Sequence, residues 1–187
     1  MNLFNKRRDY QKDWINNQKY IDLVYKEQKD APIVEPTIKE LKNALMQHEP
    51  KSVLEIGCGW GRLMKPLNNE FNLAGCDINN EYLLKAQEKG LTVFHGDIVT
   101  GIPSYRKADV LFCYGTIMYF NDKQIEEAIT NMIGLANKKV IIFEWADVCE
   151  RILRVVNKKL ILNSNKLELH IIKNKGLEEN KKKVKTK

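Results

Sequence analysis

The segment Val53–Arg62 reads VLEIGCGWGR and joins an apolar run to a turn with glycine at every second position. A strand is predicted over Ser52–Ile56, and a helix begins within Leu63–Leu67. Such a turn uses glycine both for backbone angles that other residues avoid and to let a ligand lie against bare backbone beside the helix N-terminal amides. The segment therefore predicts a strand–turn–helix unit with a ligand site at the carboxyl end of its strand.

The same alternation of short apolar runs and helical stretches continues along the chain. Asn80 is predicted to cap a helix that runs to Lys89, and Asn121 to cap another. Four further strands are predicted: Asn72–Cys76, Leu91–Phe94, Ala108–Cys113 and Val140–Phe143. Strands that are apolar along their whole length and alternate with helices indicate a sheet covered on both faces. We therefore expect an α/β protein with a doubly wound, mostly parallel, Rossmann-like sheet.

The last part of the chain departs from this rhythm. A helix is expected near Val148–Val156, followed by apolar runs at Lys159–Leu162 and Leu167–Ile172 with turn-forming residues between them. We interpret the two runs as a terminal antiparallel hairpin, which brings the expected number of strands to seven.

The N-terminal part is predicted to be helical. Over residues 5–28, Tyr10, Trp14, Ile21 and Val24 fall on one helix face. Pro32 and Pro36 then form a linker. A second helix is expected to begin at Thr37 with a capping box to Glu40. The predicted organisation is a helical cap or lid over 1–35, a ligand-binding domain over 36–175 and a basic flexible tail over 176–187.

Composition restricts the class of protein. The chain has 187 residues, of which 43% are hydrophobic and 29% charged, as in a globular domain. The absence of a long apolar run and of a signal-like N-terminus predicts a cytoplasmic protein without membrane association. Four widely spaced cysteines predict reduced, packed thiols and no metal site. The net charge of +7 arises at the C-terminal end, where residues 151–187 hold twelve Lys or Arg and three Asp or Glu.

Two carboxylates define the expected ligand. Asp77 stands twenty residues after Gly57, at the end of the second strand, where it can accept both hydroxyls of a ribose. The dinucleotide pattern G-x-G-x-x-G is not met, because the third glycine, Gly61, comes one position early and Arg62 takes its place. Glu55 suits a cationic ligand better than a pyrophosphate. The residues alone leave open a second role for Asp77, as a cap of the following helix.

The pattern E-x-G-x-G-x-G resembles the first motif of the class I S-adenosylmethionine-dependent methyltransferases. Further resemblance is found at Gly96–Ile98 after the third strand and at Ala108–Val110 in the fourth, and it covers about residues 36–145. It implies S-adenosyl-L-methionine as cofactor and S-adenosyl-L-homocysteine as product. It also implies roles for Asp77 at the ribose, Ile78 at the adenine, Asp97 at the adenine amine, and Cys113 and Tyr114 at the methionine end. The expected cofactor-binding residues are Glu55, Gly57, Cys58, Gly59, Gly61, Asp77, Ile78, Gly96, Asp97, Ile98, Cys113 and Tyr114.

The acceptor is less defined by the sequence. Tyr119, Glu144, Trp145 and Trp14 are candidates to line its pocket, and Trp14 belongs either to a lid or to a helix that simply packs on the sheet. The resembling small-molecule enzymes often have a histidine near Met118 or Tyr119, and that histidine is absent, so no catalytic residue is assigned.

We expect methyl transfer to an O, N or C atom of a small molecule. An RNA or protein acceptor, with nucleic acid attracted by the basic tail, and a non-catalytic cofactor-binding module are the alternatives. The sequence gives no indication of the oligomeric state.

Overall fold

The computed structural model describes residues 10–30, 35–159 and 168–173, which form a six-stranded sheet flanked by helices. The strand order is β3-β2-β1-β4-β5-β6, and every neighbouring pair is parallel. The strands are β1 (Val53–Ile56), β2 (Leu73–Asp77), β3 (Val93–His95), β4 (Ala108–Tyr114), β5 (Ala136–Glu144) and β6 (Glu168–Lys173). The expected doubly wound α/β fold is confirmed.

Seven helices of at least four residues accompany the sheet in the described ranges. They are α1 (Tyr10–Ile15), α2 (Gln18–Gln28), α3 (Glu35–Met46), α4 (Met64–Leu67), α5 (Asn80–Gln87), α6 (Asp122–Leu135) and α7 (Ala146–Lys159). Short 3₁₀ turns occupy Ser104–Arg106 and Ile117–Tyr119. The turn over Ile117–Tyr119 follows β4 and contributes residues to the cavity at this end of the sheet.

The central strands are buried on both faces, as their apolar composition predicts. Alternate residues of a strand point to opposite faces. Leu111 accordingly packs in the core on one side of the sheet and Phe112 in the core on the other. In β5, Ile142 packs on the same side of the sheet as Leu111, and Ile141 packs on the side of Phe112. This two-sided core fixes the carboxyl ends of the strands in one row.

The expected antiparallel hairpin is wrong in its direction. β6 pairs with β5 in parallel, from Lys139 with Glu168 to Glu144 with Lys173. The physical reason is α7, which carries the chain back along the sheet before β6 begins. Lys159, the expected start of the first hairpin strand, is the last residue of α7, and residues 160–162 lie outside the described residues. The sheet therefore has six strands in the described ranges instead of the expected seven.

Two N-terminal predictions also need correction. The expected helix over 5–28 is divided after Ile15, because the Asn17 side chain accepts a hydrogen bond from the Tyr20 N–H at 3.2 Å and caps α2. The next helix begins at Glu35, two residues before the predicted cap Thr37, which is buried within it. Proline is tolerated in the first turn of a helix, so Pro36 belongs to α3 instead of a linker. Pro32 and the tail over 176–187 lie outside the described residues.

Other properties expected from composition can be compared directly. All four cysteines are free and buried, as expected for packed thiols. Within the described ranges, no helix combines the length and the apolar character that crossing a bilayer requires. The same ranges contain no group of three or more His, Cys, Asp or Glu residues placed to hold a metal ion.

Candidate active site

The glycine turn after β1 is built from three residues in the left-handed region. Gly57, Gly59 and Gly61 have φ of 72°, 53° and 75°. A Cβ on Gly57 would lie 2.4 Å from Thr116 Oγ1, and one on Gly61 would lie 2.1 Å from Leu91 Cδ1. A Cβ on Gly59 would meet only the Tyr82 ring, at 3.8 Å. Two of the glycines therefore permit close packing, and the middle one leaves space for a ligand.

Asp77 holds this turn in place. Its Oδ2 accepts a hydrogen bond from the Gly59 N–H and its Oδ1 one from the Asn79 N–H, each at 2.8 Å. Burial raises the pKa of Asp77, and the backbone N–H groups of Asn79, Gly59 and Ile78 oppose that shift. The carboxylate thus does not simply face water at a strand end. It organises the turn that surrounds the expected ribose position.

Asn79 is a site residue that the sequence analysis did not identify. Its side chain accepts from the Tyr82 N–H at 2.9 Å, so Asn79, and not Asn80, caps α5. The same side chain donates from Nδ2 to the Trp14 carbonyl oxygen at 2.7 Å. The run of two asparagines was the only sequence signal, and it did not indicate which of them reaches across the chain.

Glu55 places a buried carboxylate next to the turn. Only 3% of this residue is exposed, and its Oε2 has no hydrogen-bond partner among the described residues. Burial, followed by the charge of Asp77, raises the pKa of Glu55 well above its ordinary value. A buried carboxylate without a partner is costly, so a cationic or hydrogen-bond-donating ligand would stabilise it.

A cavity of about 380 Å³ lies at the carboxyl ends of β1, β2 and β4. This volume falls in the range of small-molecule and cofactor sites. Most of the expected site residues line it: Glu55, Gly57, Cys58, Gly59, Asp77, Ile78, Gly96, Asp97, Ile98, Tyr114, Tyr119, Trp145 and Trp14. Gly61, Cys113 and Glu144 are not in the lining; Gly61 packs on Leu91, and Cys113 and Glu144 are buried in the sheet.

Helices α1 and α2 cover the cavity with aromatic side chains. The Trp14 ring meets the Tyr119 ring edge-on, with 5.1 Å between centroids, and meets Tyr20 at 5.2 Å. Ile21 and Val24 of α2 pack in one apolar cluster with Trp60 of the glycine turn and Tyr82 of α5. We call α1 and α2 together the N-terminal cover.

Arg62 supplies positive charge to the same lining. Its Nη1 donates to Gln28 Oε1 of the cover at 3.1 Å, and its guanidinium lies 5.8 Å from the centre of the Trp60 ring. Burial lowers the pKa of Arg62. Glu55, Asp77 and Asp97 outnumber this one arginine among the charged lining residues, so the cavity favours a ligand with positive charge.

The far wall of the cavity is held by the end of β5. The Glu144 carboxylate lies behind the wall and accepts a hydrogen bond from the Ile117 N–H of the 3₁₀ turn. Trp145 Nε1 donates to the Met118 sulfur at 3.2 Å. Met118, Tyr119 and Trp145 themselves line the cavity. Glu144 therefore supports the candidate acceptor wall without being part of it.

Comparisons with known proteins agree with this geometry. Residues 53–139 match a family model described as a methyltransferase domain. No curated protein matches the sequence significantly. A parallel sheet in this order, with a glycine turn after β1 and an acid at the end of β2, is typical of α/β proteins that bind a nucleoside at the carboxyl ends of these strands. Residues 53–139 are therefore similar to a methyltransferase domain, in agreement with the resemblance that the sequence motifs show.

Solved structures show the same fold at low sequence identity. Magnesium protoporphyrin IX methyltransferase from Synechocystis, with bound S-adenosylmethionine, is 16% identical, with a TM-score of 0.62 over 84% of this chain and 88% of that one. A TehB-like methyltransferase from Corynebacterium glutamicum is 19% identical, with a TM-score of 0.56 over 73% and 81%. An S-adenosylmethionine-dependent methyltransferase from Clostridium acetobutylicum is 18% identical, with a TM-score of 0.53 over 64% of this chain and 53% of that one. The chain spans about half the length of this last structure. It also covers only 51% and 55% of two further solved structures of similar TM-score.

Proposed function

We propose that the chain binds S-adenosylmethionine in this cavity and transfers its methyl group to a small molecule. The observation that carries the proposal is the buried Glu55, whose Oε2 has no hydrogen-bond partner among the described residues and which lines the same cavity as Asp77 and the open Gly59. These groups fit a ligand that combines a ribose with a positively charged amino acid part.

Each part of the cofactor has matching residues in the lining. Asp77 would accept the ribose hydroxyls, since each of its oxygens uses one described hydrogen bond and retains acceptor capacity. Ile78, Asp97 and Ile98 would surround the adenine. Glu55 would hold the ammonium group at the methionine end.

When bound, the cofactor supplies an activated methyl group. The chain's own task is then to hold the acceptor in line with that group, because alignment alone can supply much of the rate. Trp14, Met118, Tyr119 and Trp145 enclose the remaining part of the cavity and would orient the acceptor. No histidine lines the cavity within the described ranges, so we propose that orientation and exclusion of water dominate over proton transfer.

The N-terminal cover supports a small acceptor. Trp14 bridges from α1 to Tyr119 across the cavity, which leaves space for a compact molecule between the cover and the sheet. We accordingly propose that residues 1–35 act as a cap on a domain formed by 36–175.

Labelled methyl donor distinguishes the possible acceptors. The protein is incubated with methyl-labelled S-adenosylmethionine and a cell extract separated into small-molecule, RNA and protein fractions. Label in the small-molecule fraction supports the proposal. Label in RNA or protein contradicts the acceptor class, and absence of S-adenosylhomocysteine in every fraction contradicts catalysis. Gly59→Val serves as the matched inactive control, because it fills the cavity without touching the sheet.

A further inference from the structure

Three polar groups of Asn79 join three parts of the site. Only 4% of the residue is exposed. Its backbone N–H donates to Asp77, its side-chain oxygen accepts from Tyr82, and its side-chain nitrogen donates to the Trp14 carbonyl oxygen at 2.7 Å. One buried residue thus connects the ribose-binding acid, the start of α5 and the N-terminal cover.

The hydrogen bond from Asn79 gives a partner to a carbonyl oxygen at the C-terminal end of α1. Trp14 lies in the last turn of this helix, where carbonyl oxygens have no partner within the helix. A second bond of the same kind runs from the Tyr82 hydroxyl to the Ile21 carbonyl oxygen in α2, at 2.8 Å. The cap of α5 therefore holds α1, and the first turn of α5 holds α2, each by one side chain.

We infer that Asn79 is a positioning residue that couples cofactor contact at Asp77 to docking of the N-terminal cover, and so to the placement of Trp14 over the acceptor. This inference rests on the proposed function. A ligand that fixes Asp77 also fixes the backbone of Asn79, and therefore the side chain that holds Trp14. Because such coupling is reciprocal, a docked cover also strengthens cofactor binding.

The substitution Asn79→Ser distinguishes the contact of Asn79 with Trp14 from its role as the cap of α5. Serine keeps an oxygen that can cap α5, and it removes only the Nδ2 donor to Trp14. Asn80→Ala is the matched control, since Asn80 is the exposed neighbour in the first turn of the same helix. Melting curves of both variants without ligand establish that they fold.

The test uses S-adenosylhomocysteine as the probe and hydrogen–deuterium exchange of peptides within residues 10–30 as the readout. In the wild type and in Asn80→Ala, the probe should slow exchange in these peptides. In Asn79→Ser this slowing should be largely lost, and calorimetry should show an affinity about 3- to 10-fold weaker, as expected for one net hydrogen bond. A purely structural role would lower the melting temperature but leave the ligand-induced slowing intact.

The outcomes separate this inference from the function on which it rests. Failure of S-adenosylhomocysteine to bind the wild type refutes the proposed function and the inference together. Binding without slower exchange in residues 10–30, or slowing in Asn79→Ser equal to that in the wild type, refutes the inference alone.

Discussion

The Glu144 carboxylate at the end of β5 accepts a hydrogen bond of 2.6 Å from the backbone N–H of Ile117. Only 1% of Glu144 is exposed, and its second oxygen has no hydrogen-bond partner among the described residues. Trp145 donates to the Met118 sulfur beside it, so the last residue of β5 and the residue after it hold two consecutive residues of the turn over the cavity. The shape of the candidate acceptor wall therefore depends on a buried acid.

Glu144→Gln should make stability less dependent on pH. Burial raises the pKa of Glu144 to about 8, whereas an unfolded glutamate titrates near 4.3. Between these values the folded protein binds the extra proton, so the wild type loses stability as pH rises through this window. From pH 6 to pH 9, the free energy of unfolding of Glu144→Gln should gain about 2 to 3 kcal/mol relative to wild type in urea titrations. Glu127→Gln on the surface of α6 is the control, and a constant difference at both pH values would contradict the expectation.

Asp77→Ala should weaken both ligand binding and the fold. Loss of two charge-assisted bonds to the ribose corresponds to roughly two to four decades in affinity for S-adenosylmethionine and S-adenosylhomocysteine. Removal of a carboxylate that simply faced water at a strand end would leave the stability of the ligand-free protein unchanged. The bonds from Gly59 and Asn79 overturn that expectation and predict a loss of about 1 to 3 kcal/mol. Calorimetry and urea unfolding of the same variant test the two parts, and unchanged affinity would contradict the placement of the ribose.

Gly59→Val should abolish cofactor binding. Its side chain would extend into the cavity, where a Cβ meets only the Tyr82 ring. The positive φ of the position adds strain of roughly 1 to 2 kcal/mol. Gly90→Val is a matched control, because Gly90 has φ of 75° and no atom within 4 Å of its Cβ position, and it does not line the cavity. The two variants should lose a similar amount of unfolding free energy. Only Gly59→Val should lose more than about 100-fold in affinity for S-adenosylhomocysteine. Equal affinities of the two variants would show that the turn does not touch the ligand.

Gly61→Ala should damage the fold before it affects the ligand. Its Cβ would come within 2.1 Å of Leu91 Cδ1, at a position with positive φ. Overpacking of this kind costs typically about 1 to 3 kcal/mol. In thermal unfolding, the combined variant Gly61→Ala with Leu91→Ala should lose less stability than the sum of the two single variants, because the shorter side chain at position 91 removes the clash. Additive losses would indicate that backbone strain alone is responsible.

NAD should not compete with the sulfur ligands. Its pyrophosphate would bring two negative charges to a cavity lined by Glu55, Asp77 and Asp97. Isothermal calorimetry should detect S-adenosylmethionine and S-adenosylhomocysteine, with no saturable heat from NAD. Tighter binding of NAD than of either sulfur ligand would refute the assignment of the cavity.

The sheet and the glycine turn could be predicted because their signals are local. A strand buried on both faces is apolar along its length, and three alternating glycines restrict the backbone of one short segment. The capping box of Asn121 and Gln124 at the start of α6 is a local signal of the same kind. Asp77 could be placed at the cavity because the carboxyl ends of neighbouring parallel strands lie side by side.

Contacts between distant segments could not be predicted. Asn79 and Trp14 are 65 residues apart, and nothing near either residue indicates their hydrogen bond. Glu144 reads as a charged strand end, whereas its burial depends on the turn that follows β4. The direction of β6 depends on how far α7 carries the chain, while the alternation in Leu167–Ile172 is compatible with an edge strand of either direction.

The four buried thiols make local opening of the molecule measurable. Burial raises the pKa of Cys58, Cys76 and Cys113, so an alkylating reagent meets an unreactive thiol until the surrounding structure opens. Cys58 lies in the glycine turn and Cys76 in β2, whereas Cys149 lies in the first turn of α7. Alkylation rates, cysteine by cysteine, therefore give separate opening free energies for the cofactor half and for the C-terminal edge of the sheet.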